Sequence, residues 1–404
     1  MNPEVIQARR AIESLRSGVP NRDVVAQLGT TQHEIRERFE DSIDGVAQGQ
    51  GAEPILISAS FGAGKTHLLN FLQSLAEREG FVTSYVVISP EMPLGNAHFV
   101  VKALAESARA PGRAGRALRA LAPDLSVGQN ASGGVSDWIG NAAIDDRFRA
   151  LLRLYDAYRA DEEFRVQILG DFEGRPILKT VLKNRLKQIN EAASYDLSGP
   201  RTALLAHDRV RLLAQLFKAS GCKGWVILFD EMERVAKFSL KQRLAAYSEL
   251  GWWRRVARTA GSAILPVFTT ASGFVAETVT GGAFDEQRIS SLSASGERDI
   301  DALDGIDFLK SPLRLDPPTS DQEEEIEYRV RSIYEQAYGV AAEMPAGKLD
   351  VRISIRSEIR RWITLWDLHR YYPEYRPEVD VDDVRFDPEA IDDAQIVSED
   401  DESD

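Results

Sequence analysis

The chain has almost no cysteine: Cys222 is the single one among 404 residues. One thiol cannot build an intramolecular disulfide framework or a zinc site made of cysteines. No run of about 18 apolar residues occurs, so the sequence predicts no membrane-spanning helix. Residues 1–5 also lack the basic region followed by an apolar region that marks a secretory signal. Together these absences predict a cytoplasmic protein.

Basic residues are scarce toward the end of the sequence. The net charge is −14, and residues 380–404 hold twelve acids against one base, Arg385, which leaves about −3 for residues 1–379. Like charges repel, and so polar a segment has little apolar surface to offset its ordering entropy, so residues 387–404 are predicted to be a disordered acidic tail. The tail is either solvated or in contact with a basic partner.

One stretch stands out from this nearly neutral body. Residues 54–66 read Pro-Ile-Leu-Ile-Ser-Ala-Ser-Phe-Gly-Ala-Gly-Lys-Thr. Ile55 to Ile57 predict a buried strand, residues 59–64 a small-residue loop, and Lys65-Thr66 the start of an apolar-periodic helix. Strand, glycine loop and helix form the context of a phosphate-binding P-loop, in which loop N–H groups and the helix N-terminus face phosphate oxygens.

The loop residues have separate predicted roles. Lys65 would reach the β- and γ-phosphates of ATP, the Thr66 hydroxyl would ligate Mg²⁺, and the backbone of Gly62 and Gly64 would cradle phosphate. Ala59 stands where the pattern has its first glycine, a position that tolerates alanine at negative φ. The alternative is a glycine turn that merely begins a helix. The whole predicted nucleotide-binding set is Ser60, Phe61, Gly62, Ala63, Gly64, Lys65, Thr66 and His67.

A second motif supplies the carboxylates that the predicted P-loop lacks. Trp225 to Phe229 predict a buried strand that ends in Asp230-Glu231. Asp230, at the carboxyl end of a parallel strand, would share Mg²⁺ with Thr66. Glu231 would accept a proton from the water that attacks the γ-phosphate. The alternative is a pair of acids that only cap a strand.

Two more strands complete the predicted sheet, at residues 82–89 and 263–270. Strand–helix–strand order predicts right-handed crossovers and a parallel sheet. In an ATPase sheet with an additional strand, the end of the 263–270 strand lies beside the γ-phosphate, so Thr269 or Thr270 would orient the attacking water. A plain strand end is the alternative. Residues 276–305 are rich in Gly, Ser and Asp and are predicted to be irregular, with a mobile loop.

Residues 2–43 are predicted to form three short helices. Asn2 caps the first, Pro3 sits in its first turn and Gly18 ends it. Its predicted buried face is Val5, Ile6, Ile12 and Leu15. The second helix covers residues 21–28 and stops at Gly29. The third begins with a capping box at residues 31–34, and its predicted inward-facing residues are Ile35, Phe39 and Ile43.

The junction at Gly29 permits a helix-turn-helix interpretation, with the third helix in a major groove. Phosphates would repel the acids on that helix, so packing against the nucleotide domain is favoured. Those acids are Glu34, Glu37, Glu40 and Asp41.

Arginine-bearing segments leave further alternatives open. The arginines at 109, 113, 116 and 119 form either a nucleic-acid patch or a solvated helix face. Residues 144–220 are predicted to be helical throughout. After residues 313–315, Thr319 begins a helical subdomain. Its arginines either fold back onto the nucleotide or stay solvated; they are Arg356, Arg360 and Arg361.

With these residues in place, the sequence resembles the AAA-type ATP-binding proteins of bacterial phage-exclusion (BREX) defence loci. Four stretches carry the likeness, and they lie at residues 11–22, 61–69, 228–233 and 360–368. The P-loop and Asp-Glu stretches are generic to ATPases, whereas the first and last are more specific. The resemblance implies an ATPase that acts with other proteins against phage DNA.

AAA-type sites commonly take an arginine from a neighbouring subunit, because the transferring phosphoryl group needs a further cation. The candidates are Arg254 and Arg255, beside the aromatic pair Trp252-Trp253, and Arg288. The alternative is that both tryptophans are core residues and both arginines are solvated.

The predicted fold is α/β: an AAA-type P-loop NTPase whose parallel sheet is flanked by helices. Its predicted parts are an N-terminal helical segment (1–45), an ATPase domain (46–315) with a helical insertion at about 140–220, a helical lid (316–386) and the tail. The predicted activity is Mg²⁺-dependent ATP hydrolysis that drives conformational or assembly changes in a homo-oligomer with other defence proteins. The alternative is a nucleotide-sensing scaffold or DNA-binding regulator with negligible turnover.

Overall fold

The computed structural model describes residues 2–18, 22–125, 135–199, 202–282, 284–294, 300–343 and 354–374. The predicted acidic tail, residues 387–404, lies outside the described residues, as does the predicted lid beyond residue 374. Within the described ranges, no helix combines the length and the apolar character that crossing a membrane requires.

The centre of the fold is a parallel five-stranded sheet. Its strands are β1 (Ile55–Ala59), β2 (Val82–Val87), β3 (Trp225–Asp230), β4 (Ile264–Ala271) and β5 (Leu313–Arg314), in the order β2-β3-β4-β1-β5. The predicted parallel sheet is confirmed, although β2 ends at Val87 and not at residue 89. Strand β3 is buried along its whole length, as expected for a strand covered on both faces. Strand β4 separates β1 from β3, so the carboxyl ends of these three strands adjoin.

Helices surround the sheet and extend beyond it. In chain order they are α1 (Pro3–Ser17), α2 (Arg22–Leu28), α3 (His33–Ala47), α4 (Lys65–Arg78), α5 (Ala97–Ser107), α6 (Ala117–Leu121), α7 (Val135–Asn141), α8 (Asp146–Ala157), α9 (Glu162–Phe172), α10 (Lys179–Gln188), α11 (Thr202–Ala219), α12 (Leu240–Arg258), α13 (Asp285–Ala294), α14 (Ile300–Leu309), α15 (Ser320–Tyr338) and α16 (Ile355–Tyr371). The prediction of helix throughout 144–220 is wrong between α10 and α11, where residues 189–199 form turns.

Helix α1 has the predicted ends. The Asn2 side chain accepts a hydrogen bond from the Glu4 N–H, and Gly18 ends the helix at a φ of 73°. The predicted buried face is only partly right, because Ile6 is 37 % exposed. The stripe that packs against α15 and α16 consists of Ala8, Ala11, Ile12 and Leu15.

Helix α3 departs from its predicted start. The predicted capping box at 31–34 does not form: the helix begins at His33, and its cap residue Gln32 gives no side-chain cap. The Gln32 amide instead pairs with the backbone of Asp316, donating to its carbonyl at 3.0 Å and accepting from its N–H at 3.3 Å. The inward residues were predicted correctly, because Ile35, Phe39 and Ile43 join the core around β1, β4 and α4. Helix α3 therefore packs against the sheet and α4.

The N-terminal helices divide between two cores. Helix α3 belongs to one face of the sheet, whereas α1 and α2 share a separate apolar cluster with α15 and α16. The opposite face of the sheet and the helices from α5 to α14 form the largest cluster. The predicted domain boundaries stay predictions, but segment 1–45 does not pack as one unit.

The prediction of irregular chain over 276–305 is wrong for most of that stretch. It contains a π-helical turn at Val275–Val279 and helices α13 and α14. Helix α14 crosses α12 so closely that glycine is required on both sides. A Cβ at Gly251 would lie 1.9 Å from the Asp301 carbonyl oxygen, and one at Gly305 would lie 2.0 Å from that of Tyr247. The small residues that resembled a loop therefore form a tight helix contact.

The arginine-bearing segment at 109–119 is engaged within the chain. Arg113 pairs with Asp124, and Arg116 and Arg119 approach the buried carboxylate of Glu173 at 3.8 and 3.5 Å. These ion pairs within the chain favour a solvated helix face over a nucleic-acid patch.

Candidate nucleotide-binding site

The predicted P-loop joins β1 to α4 with the geometry that its glycines allow. Gly62 has a φ of 75° and Gly64 a φ of 102°, both in the region that favours glycine, and α4 begins at the next residue, Lys65. Ala59 is the last residue of β1 and is extended, so alanine fits where the motif has its first glycine.

The Lys65 ammonium is folded back over this loop. It donates to the carbonyl oxygens of Ala59 at 3.0 Å and Ser60 at 3.4 Å, and it lies 3.9 Å from a carboxylate oxygen of Glu233. All of these partners are oxygens, which phosphate oxygens can replace without leaving the cation unpaired.

Asp230 occupies the centre of the site and is buried. Its Oδ2 accepts from the Thr66 hydroxyl at 3.0 Å and from the Tyr85 hydroxyl at 2.5 Å. Its Oδ1 accepts from the Glu231 N–H at 3.0 Å and from the Thr269 hydroxyl. Burial, and then the charge of Asp230, raise the pKa of Tyr85, so the phenol stays protonated and donates.

Two carboxylates follow Asp230. Glu231 adopts a left-handed conformation, with a φ of 63° and a ψ of 42°, and forms an ion pair with Arg234. Left-handed backbone at a non-glycine residue is uncommon and is typical of functional turns. Glu233 accepts from the Ala271 N–H at 3.0 Å, and burial raises the pKa of its carboxyl. Both follow the strand end that carries Asp230, and Glu233 is the one that faces Lys65.

The two threonines of β4 have different surroundings. The Thr269 hydroxyl is bound to Asp230, whereas the buried Thr270 hydroxyl has no hydrogen-bond partner. Thr270 lies opposite Ser58 of β1, one residue before the strand end. Of the two hydroxyls, that of Thr270 is the unpaired one, and it is fully buried.

A cavity of about 140 Å³, partly open to solvent, adjoins the loop. Its phosphate end is formed by Gly62, Gly64 and Thr66. Its remainder is mainly apolar and is lined from α1, α2, α15 and α16 by Leu15, Leu28, Ile326 and Ile359. A pocket with one polar end and one apolar end suits a nucleotide, which has a charged phosphate tail and a flat base.

The N- and C-terminal helices both contact the loop. His67 Nε2 lies 2.7 Å from the Gly29 carbonyl oxygen, and burial lowers the pKa of this imidazole, which favours its neutral form. The Arg356 guanidinium stacks over the Phe61 ring at 5.5 Å. A Cβ on Gly62 would come within 2.8 Å of the Ser354 hydroxyl. Arg356 is therefore the arginine of the predicted lid that lies beside the predicted P-loop.

The other predicted arginines are paired elsewhere. Arg254 contacts Glu53, Asp304 and Asp307, and Arg255 pairs with Asp301. Trp252 and Trp253 are buried, which agrees with the alternative that they are core residues. In α16, Arg360 donates to the Arg16 carbonyl and Arg361 pairs with Glu358.

Sequence reasoning missed Tyr85 and Ser354. Tyr85 precedes Val87, the β2 residue level with Asp230, by two positions, so it projects from the same face of the sheet. That spacing was a usable signal. Nothing local marks Ser354, because its contact with Gly62 joins residues almost 300 positions apart.

Comparison with known families now adds to this geometry. A search of curated proteins found no match. The family described as BREX system ATP-binding protein BrxC/D matches residues 5–121 and 146–377, which is most of the chain. The resemblance predicted from the four sequence stretches is thereby confirmed, and the chain belongs to the BREX system ATP-binding protein BrxC/D family.

Proposed function

We propose that the chain is a Mg²⁺-dependent AAA-type P-loop ATPase whose ATP cycle drives conformational or assembly changes in phage defence. The observation that carries the proposal is the contact between Thr66 of the P-loop helix and Asp230 of the neighbouring strand. It brings the two motifs together at the carboxyl edge of the sheet. The interposed strand β4 supports the AAA type, because it adds a hydroxyl-bearing strand end between them.

ATP would lie with its phosphates against Lys65 and the loop backbone and its base in the apolar part of the cavity. Mg²⁺ prefers hard oxygen ligands and keeps several of its waters. Thr66 and Asp230 fit such an ion. Within the described ranges no group of three His, Cys, Asp or Glu side chains could hold a metal alone, so the nucleotide would complete the site. When bound, the ion would neutralise developing phosphate charge.

The chain's own groups would do the rest of the chemistry. Lys65 would leave the Ala59 carbonyl for phosphate, Glu231 would take the proton of the attacking water, and the Thr270 hydroxyl would orient that water. Glu233 is a second candidate base, because its raised pKa lies nearer neutrality and a general base works best there.

Substitution of the two glutamates separates these roles. Glu231→Gln should keep ATP binding and lower turnover by about 10²–10⁴-fold, the usual contribution of a general base. Glu233→Gln serves as the matched variant, and a larger loss there than in Glu231→Gln would move the base to Glu233. Wild-type turnover in both variants would remove general-base catalysis by these residues.

The second candidate function is a nucleotide-sensing scaffold or DNA-binding regulator with negligible turnover. Two contacts favour it: Glu231 is paired with Arg234, and Lys65 with backbone oxygens. The test is the steady-state ATPase rate with and without double-stranded DNA, across protein concentration. Tight ATP binding without phosphate release under every condition would select the scaffold.

A homo-oligomer and contacts with other defence proteins belong to the same proposal. Arg254 and Arg255 stay candidates for an arginine supplied in trans. Arg255 is the better placed, since its side chain is 56 % exposed against 13 % for Arg254.

A further inference from the structure

Tyr85 is a half-buried residue of β2, one of the two edge strands of the sheet, and belongs to neither predicted nucleotide motif. Its backbone is level with Leu228 of β3, two residues before Asp230. The Tyr85 side chain spans this offset of two residues and reaches the Asp230 carboxylate, where its hydroxyl donates to Oδ2 at 2.5 Å. Donation to an ionised carboxylate makes this one of the stronger kinds of hydrogen bond.

The Asp230 carboxylate has no spare position in this arrangement. A carboxylate offers about four lone-pair sites, two on each oxygen. The Glu231 N–H and the Thr269 hydroxyl occupy Oδ1, and the hydroxyls of Thr66 and Tyr85 occupy Oδ2. Three of these donors come from the sheet and the turn after β3. Thr66 alone is itself a proposed metal ligand, so its place is the one that a metal ion or its water would take.

We propose that Tyr85 is a positioning residue for Mg²⁺: its hydroxyl fixes the Asp230 carboxylate so that a single Oδ2 direction points at Thr66. This inference rests on the proposed Mg²⁺-dependent function of the same site. Tyr85 need not touch the nucleotide or the ion. Its effect is to hold the carboxylate plane, and hydrogen-bond partners behind metal ligands commonly contribute 10–100-fold to metal affinity.

The test compares wild type with Tyr85→Phe, which keeps the ring and removes the donor. ATP binding is measured by calorimetry in EDTA and then across a Mg²⁺ series, without relying on turnover. We expect equal ATP affinity in EDTA, and at least about a tenfold higher Mg²⁺ concentration for half of the Mg²⁺-dependent gain in the variant. Tyr328→Phe is the control, because Tyr328 is 72 % exposed on α15.

The outcomes separate this inference from the function on which it rests. A wild type whose ATP affinity does not respond to Mg²⁺ would contradict the proposed metal site. A wild type that responds, with an unchanged midpoint in Tyr85→Phe, would overturn the role of Tyr85 and leave the ATPase proposal standing. The melting temperature in EDTA checks the fold; if it falls in Tyr85→Phe, the decisive comparison is with Tyr85→Leu, which also lacks a donor and should raise the Mg²⁺ midpoint to the same extent.

Discussion

At the scale of single residues, the cation of the candidate site is the Lys65 ammonium, and its partners are oxygen atoms of the loop and of Glu233. Lys65 donates to the Ala59 carbonyl and faces Glu233, and these contacts hold its ammonium over the loop. On ATP binding, the Lys65 ammonium would exchange a neutral carbonyl oxygen for a charged phosphate oxygen. The stronger, charge-assisted hydrogen bond would contribute to the free energy of binding.

Lys65→Ala should therefore weaken ATP binding. Loss of a charge-assisted contact costs about 1.5–3 kcal/mol, which is about a 10- to 150-fold rise in Kd. Calorimetry with ATP measures it, and Lys241→Ala on the exposed side of α12 is the control. An unchanged Kd would exclude Lys65 from the phosphate site.

Glu233 predicts a pH dependence. Burial raises the pKa of its carboxyl, so the ionised form costs the folded state free energy. The folded state is favoured by this group below the unfolded pKa of about 4.3, and that advantage is lost as pH rises through the folded pKa. Glu233→Gln should thus raise the melting temperature without nucleotide at pH 7.5, and the gain should vanish near pH 4.

The measurement is thermal unfolding over a pH series, with the exposed Glu324→Gln as control. A melting temperature at pH 7.5 below that of wild type would mean that the 3.9 Å approach to Lys65 outweighs burial.

At the scale of elements, the crossing of α12 and α14 is the contact least tolerant of added volume. A methyl group at Gly251 has no space, because the Asp301 carbonyl oxygen is 1.9 Å from where Cβ would be. Gly251→Ala must push the helices apart, and overpacking of this kind costs about 1–3 kcal/mol or more.

Gly251→Ala should lower the melting temperature by several degrees. Gly140→Ala is the matched control: Gly140 is also helical, and nothing lies within 4 Å of its Cβ position. Alanine is the better helix former, so this control should be neutral or slightly stabilising. Equal melting temperatures for both variants would mean that the α12–α14 contact is looser than described.

The same crossing shows why some elements could be predicted from the sequence and others could not. Strands β1 and β3 and the glycine loop that joins β1 to α4 carry local signals, in apolar runs and glycine spacing, and this local structure was predicted correctly. Helix α14 lies at the end of a Gly-, Ser- and Asp-rich stretch, but its buried residues Ala302, Ile306 and Leu309 follow helical spacing, a local signal that was missed. What no local pattern predicts is its close contact with Gly251 of α12, about 50 residues away.

The residues of the candidate site also divide into those that a local sequence pattern predicts and those that only the fold brings there. Lys65, Thr66 and Asp230 follow from motif spacing, whereas Tyr85 and Ser354 reach the site through sheet register and tertiary packing. Helix α3 begins one residue later than the predicted box would place it, and its cap residue Gln32 contacts Asp316, more than 280 residues later, a contact that no local pattern predicts.

At the scale of the whole molecule, the arginine in trans makes a prediction about assembly. If Arg255 completes a neighbour's site, the ATPase rate per subunit must rise with protein concentration. Mixing inactive Glu231→Gln subunits with inactive Arg255→Ala subunits should then restore activity at composite sites. Arg255 suits this test because an exposed ion pair adds little stability, so its removal should leave the fold intact.

Lys310→Ala, which removes another half-exposed pair, is the control for lost surface charge. A rate per subunit that stays flat over a hundredfold dilution, with no rescue on mixing, would exclude Arg255 from the site.

The shared cluster of α1, α2, α15 and α16 has a consequence for how the protein is made. The apolar stripe of α1 packs on helices that begin about 300 residues later. At a synthesis rate of about 5–20 residues per second, that stripe waits about 15–60 s for its partners. Helix α1 thus leaves the ribosome well before α15 and α16, and during that interval its apolar stripe is open to chaperones.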